Sequence, residues 1–123
     1  MPLIETDFGA ALPVDGYGPG FFRVAGQLHR GGLLIRAEVA CDWAGYADLE
    51  PLRALSGLVD VVFVGTGADI AHLPRDFVAA LAEVGLMAEA MSTPSAARSY
   101  NVLLSEGRRV AAALYPMPGA APD

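Results

Sequence analysis

Lysine is absent from this chain of 123 residues, and its positive charge rests on eight arginines. That removes Schiff-base chemistry and the lysine of a P-loop. Against 14 acidic residues the formal net charge is −6. Nucleic-acid affinity comes from neutralising phosphates, so this balance argues against a nucleic-acid partner, and against an anionic membrane surface for the same reason. Cysteine is nearly absent too: Cys41 stands alone. It cannot form an intrachain disulfide, which fits a reducing compartment. No window approaches the roughly 18 uninterrupted apolar residues of a spanning helix, so direct membrane insertion is not expected. The first residues, MPLIETDFGA, carry Glu5 and Asp7 and no basic or apolar region. They fit neither a signal peptide nor a transit peptide, and a soluble cytoplasmic protein is the expectation. Arginine in place of lysine and abundant alanine suggest a GC-rich bacterial genome.

What is present is core-forming. Apolar residues make up 54% of the chain, enough for one domain over 1–123. That fraction is high for so small a chain, which suggests some exposed apolar surface and leaves self-association open. Residues 1–20, rich in Pro and Gly, read as irregular lead-in. FFRV (21–24) and LLIRAEV (33–39) read as strands, and the paired glycines of HRGG (29–32) between them predict a hairpin. DLEPLRAL (48–55) predicts a short helix with Asp48 as its cap. VDVVFVG (59–65) is a strand covered on both faces. PRDFVAALAEVG (74–85) is helical, with Phe77, Val78, Leu81 and Val84 as its stripe. LMAEAM (86–91) is a strand whose Glu89 is either buried with a partner or turned to solvent at the sheet edge. TPSAARSYNVLLSEG (93–107) has the clearest helical pattern, capped by Thr93, striped by Ala97, Tyr100, Leu103 and Leu104, and stopped at a left-handed Gly107. RVAAALY (109–115) is the last strand, followed by a fraying tail at 116–123. Strands alternating with helices predict an α/β fold with helices packed on a sheet and a leading β-hairpin.

No complete catalytic or cofactor motif is found. Gly65-Thr66-Gly67 follows a strand, but Ile70 occupies the third glycine position of a dinucleotide fingerprint and Pro74 precedes the next helix. Two readings remain for this loop: a tight exit from a buried strand, or a close backbone approach to a ligand. His29, His72 and Cys41 have no partner at metal-ligand spacing. Thr93, Ser95 and Ser99 sit where helix starts favour Ser and Thr, and no nucleophile elbow is present. Arg98 and Asn101 share a helical face and suit a network tying helix to sheet. Trp43 and Tyr46 read as core or interface plugs. No cofactor and no metal are expected.

The stretches GYGPGFFRVAG (16–26), HRGGLLI (29–35), VVFVGTGAD (61–69) and above all GLMAEAMSTPSAARSYNVLLSEGRRVAAAL (85–114) resemble the MTH938-like family. This is a former domain of unknown function whose members include the mitochondrial factor called respiratory complex I assembly factor 3. The resemblance implies a three-layer α/β fold around a mixed, roughly five-stranded sheet. It implies no established reaction. It implies protein partners, linked to respiratory-complex or membrane-protein biogenesis.

A second class of function comes from topology. If strands 59–65 and 86–91 are joined by the intervening helix, they run parallel and their C-terminal ends share one edge. That edge would bring Gly65, Thr66 and Gly67 to the start of the Thr93 helix, where the N–H groups of Ser95 and Ala96 and the nearby Arg98 favour an anion. A crevice formed by Gly65, Thr66, Gly67, Thr93, Ser95, Arg98 and Asn101 would then take a small acidic ligand, or serve an enzyme of unknown chemistry.

Overall fold

The computed structural model describes residues 5–7 and 11–122. In chain order the elements are β1 (Glu5–Asp7), β2 (Gly16–Gly18), β3 (Phe21–Val24), β4 (Gln27–Arg30), β5 (Leu33–Arg36), β6 (Val39–Asp42), α1 (Glu50–Arg53), β7 (Val61–Gly65), α2 (Arg75–Glu83), β8 (Met87–Met91), α3 (Thr93–Ser105) and β9 (Val110–Leu114). Six strands form a mixed sheet in the order β1-β6-β5-β9-β7-β8, and β2-β3-β4 form a small sheet of their own. β7 runs parallel to both β8 and β9, while β5 meets β9 and β6 antiparallel. The α/β expectation holds, with a sheet one strand wider than expected because β1 pairs with β6.

Alternation along the strands builds two cores. Phe63, Ala112 and Leu114 face a layer made of α3, through Ala96, Ala97 and Tyr100, and the small sheet, through Phe22 and Val24. Val62, Val64, Ala111 and Ala113 face the other way, onto Leu52 of α1, Leu55 in the turn after it, and Phe77 and Leu81 of α2. The all-buried VAAAL of β9 is the reason both layers lie close: alanine at the sheet centre leaves room for helices on each face. Val78, expected in the α2 stripe, is exposed. Among the described residues, no helix is long and apolar enough to cross a membrane.

Several local expectations are corrected. FFRV does not pair with LLIRAEV. β3 folds back on β4 through Ala25–Gly26, and β5 on β6 through Ala37–Glu38. Ala25 and Ala37 adopt φ values of 51° and 44°, and alanine carries no sequence signal for that conformation. HRGG is the end of β4 plus the crossing between sheets, where a side chain on Gly32 would strike the Trp43 carbonyl. Gly16–Gly18, placed in irregular lead-in, pairs with β3. Between β9 and Pro122 the chain is pinned rather than frayed: Gly20 N–H donates to the Met117 carbonyl at 2.9 Å, and the Arg30 guanidinium to that of Pro122 at 2.8 Å. Asp48 does not cap α1, since its carboxylate accepts from Ala44 N–H at 2.9 Å.

The C-terminal signals of the helices form as expected. Gly107 has φ 77°; its N–H donates to Leu104 and that of Arg108 to Leu103, each at 3.0 Å. This is a Schellman ending, and Gly85 closes α2 with the same pattern through Ala82 and Leu81.

Candidate functional site

The C-terminal ends of β7, β8 and β9 meet at one edge, with Gly65 paired to both Met91 and Leu114. α3 starts one residue after β8. Ser92, in extended conformation, is its N-cap and accepts from Ser95 N–H at 3.4 Å. Thr93, expected to be that cap, is the first helical residue and fully buried. Its hydroxyl accepts from Gly67 N–H at 2.9 Å and donates to the Tyr115 carbonyl at 2.7 Å. Its own N–H donates to the Gly67 carbonyl at 2.8 Å. Three segments distant in sequence therefore join on one side chain. A Cβ on Gly65 would lie 2.8 Å from Thr93 Oγ1 and 2.9 Å from Thr93 Cα. Glycine there is a packing requirement: it lets the helix start approach the sheet.

The donors at the start of α3 are thereby engaged within the chain. Thr93 N–H binds Gly67, Pro94 has none, Ser95 N–H is capped, and Ala96 N–H donates to the Ser92 carbonyl at 2.9 Å. Thr66 closes the loop beside them, its hydroxyl accepting from Ala71 N–H at 3.0 Å and lying 2.7 Å from the Asp69 carbonyl. An open depression of about 390 Å³ adjoins this edge, lined by Ala68, Asp69, Ile70, Met91, Ser92 and Ser95. Its one formally charged side chain is an acid. Arg98 is exposed and does not line it. Asn101 is turned elsewhere: its side chain accepts from Val14 N–H at 2.8 Å and donates to the Val14 carbonyl at 2.9 Å. Tyr100 OH donates to the Leu12 carbonyl at 2.8 Å. The hydrogen bonds of Tyr100 and Asn101 thus tie α3 to residues 12–14, while the Tyr100 ring packs on the sheet.

An aromatic group on the opposite face of this edge was only partly foreseen. Trp43, Tyr46, Phe77 and Tyr115 stack edge-on, with Tyr46 4.9 Å from both Phe77 and Tyr115 by ring centroid. Tyr115 OH accepts from Tyr46 N–H at 2.9 Å. No contiguous motif announces this group, because its members come from three separate segments, around 43–46, 77 and 115. Burial, then the neighbouring Tyr115, pushes the Tyr46 hydroxyl above its ordinary value. Burial does the same at Tyr100. Both shifts keep a phenol neutral and bring no proton-transfer group towards neutral pH. His29 Nε2 lies 3.0 Å from Asp42 Oδ1 and 3.0 Å from the Gly32 carbonyl, joining the two sheets. Among the described residues, no group of three or more His, Cys, Asp or Glu side chains could hold a metal ion.

Comparison with known proteins places this arrangement. An uncharacterised protein of Rhodobacter capsulatus is 66% identical over 118 residues, covering 96% of this chain and 95% of its own length. Mouse NADH dehydrogenase (ubiquinone) 1 alpha subcomplex assembly factor 3 is 27% identical over 126 residues, covering 97% of this chain and 68% of that protein. Among solved structures, a Bartonella henselae protein described as an outer membrane protein superposes with a TM-score of 0.80 at 34% identity, over 91% of this chain and 99% of that one. A Bordetella pertussis protein described as a Mth938-like domain superposes with a TM-score of 0.74 at 28% identity, over 98% and 95%. The family described as "Protein of unknown function (DUF498/DUF598)" matches residues 14–115, and the chain is a member of that family, the MTH938-like proteins.

Proposed function

We propose that this protein is a non-catalytic interaction module that assists assembly of a membrane-bound respiratory complex. The observation that carries the reading is the match along 97% of the chain to a complex I assembly factor. The geometry supports it. The edge that topology marks for ligands is occupied by the chain's own bonds among Gly65, Gly67, Thr93 and Tyr115. Thr66 and Asn101 serve as further joints, and Ser95 and Arg98 remain as surface groups. Deleting the gene in its native cell should reduce assembled NADH:quinone oxidoreductase on native gels, with its subunits still synthesised. Normal assembly in the deletion strain, together with turnover of a small molecule by the purified protein, would overturn the reading.

The competing small-acid reading makes its own demand. An anion at Gly67 and Ser95 would have to displace the Ser92 cap and tolerate Asp69 beside it. Titration with phosphate or citrate would then shift the amides of Gly67, Ser95 and Ala96. Under the assembly reading those amides do not move at millimolar ligand.

A further inference from the structure

The six-stranded sheet ends on one side at β1, three residues long, and on the other at β8, five residues long. β8 pairs only with β7 among the described residues, one-to-one through five positions with no bulge. Met91 offers its carbonyl to Thr66 N–H. In a strand the N–H and C=O of one residue point the same way and successive residues alternate. Met87, Glu89 and Met91 therefore bond β7. Ala88 and Ala90 present both backbone groups to the open edge. Exposed edges are ordinarily blunted by charged side chains, proline, a bulge or shortness. β8 has only one of these, the charge of Glu89.

The surroundings of the edge are apolar. Met87 is 65% exposed, Ile70 67% and Val78 39%. On the α2 face, a shallow depression of about 380 Å³ lies between Val78 and Ala82 of the helix and Ala88 of the strand. Alternation puts Glu89 on the other face, exposed. A second copy is a poor occupant. Antiparallel pairing of two β8 strands about their centre would set the two Glu89 carboxylates directly opposite each other, at the closest side-chain spacing in the ladder.

We infer that the β8 edge is a strand-addition site for an extended segment of a partner protein carrying a basic residue between two apolar ones. Main-chain bonds to Ala88 and Ala90 hold the segment, as in other strand-addition complexes. Its Lys or Arg stands opposite Glu89, and its flanking apolar side chains enter the depression beside Val78 and Ala82. The net charge of −6 favours such a partner over an acidic one. The site rests on the interaction-module reading and gives it a location.

The test uses the full chain and a synthetic peptide, Val-Thr-Val-Lys-Val-Thr-Val, read by amide shifts. The peptide should shift Ala88, Ala90, Val78 and Ala82. A version with Glu in place of Lys should bind about three- to fivefold more weakly, the range of a cross-strand charge pair. Glu89→Lys should reverse that preference. Ala90→Pro removes an outward N–H while sparing the bonds to β7, a position where an edge strand accepts proline, and should abolish binding. If that variant does not fold, the charge reversal decides alone. No shifts at β8 with millimolar peptide, or an unchanged preference in Glu89→Lys, overturns the site. So does self-association that Glu89→Lys alters, which would make the second copy the occupant. Peptide binding with normal respiratory-complex assembly in a deletion strain would keep the site and end the assembly reading. A partner engaged on another face would do the reverse.

Discussion

On one face of the sheet, α3 is fastened by side-chain hydrogen bonds to three remote places: Thr93 to Gly67 and Tyr115, Tyr100 to Leu12, and Asn101 to Val14. On the other face, α2 begins at Pro74 with no side-chain cap and is held by Phe77 and Leu81. The contrast separates two tasks. Apolar packing supplies most of the stability but tolerates sliding, since it is non-directional. Directional bonds from α3 set its register against the sheet edge and against the chain leading into β2.

The contrast breaks most readily at α2. Phe77→Ala empties the contact with Trp43 and Tyr46 and should cost about 3–5 kcal/mol in urea unfolding. A loss below about 1 kcal/mol would mean that α2 is not held by packing. Thr93→Val keeps the volume and removes both hydroxyl bonds. Gly67 N–H and the Tyr115 carbonyl are then left unpaired, which should cost about 2–3 kcal/mol. Thr93→Ser should recover most of it; failure to do so would assign the loss to the methyl group.

Tyr100→Phe should cost about 1 kcal/mol by orphaning the Leu12 carbonyl, and it carries a signature in pH. The phenol is raised by burial above its ordinary value of 10.0, with the charge of Arg36 opposing. The folded state therefore holds this proton more tightly than the unfolded chain. The stabilisation is complete below about pH 10 and falls as pH rises beyond it. Tyr100→Phe should flatten this alkaline limb in melts followed at increasing pH. An unchanged limb would place the titration elsewhere. The smallest effect should be common to both helices. Gly85→Ala and Gly107→Ala each force alanine to a positive φ and should cost about 1 kcal/mol. Unequal losses would show that one Schellman ending carries more than its backbone strain.

The strand–helix–strand–helix–strand half was readable because its signals are local: a β-branched run at 61–64, helical spacing around Tyr100, and Gly85 and Gly107 at the stops. In the first forty residues the strands at 21–24 and 33–36 were legible, but their partners were not. Their turns sit on Ala25 and Ala37, where positive φ is imposed by the strands on either side, while the more conspicuous Gly31–Gly32 serves a crossing beside Trp43. The meeting of Gly67 with Thr93 was legible from topology, but its consequence was not. Whether a threonine at a helix start offers its hydroxyl to a ligand or to a carbonyl more than twenty residues away depends on how near β9 ends. That distance exists only once the sheet has formed. Arg98 and Asn101 share a face in sequence, yet one meets solvent and the other Val14, because the chain that covers the helix comes from residues 12–14.

Gly67 is buried in a loop whose next residues, Ala68 to Ile70, are exposed, and amide protons in such loops ordinarily exchange with water quickly. Its N–H is held by a buried hydroxyl that is itself committed to Tyr115. Water can reach that proton only when the start of α3 lifts from the sheet, so its exchange follows a subglobal opening and not loop motion. A single deuterium label at Gly67 thus times how often the start of α3 undocks from the sheet.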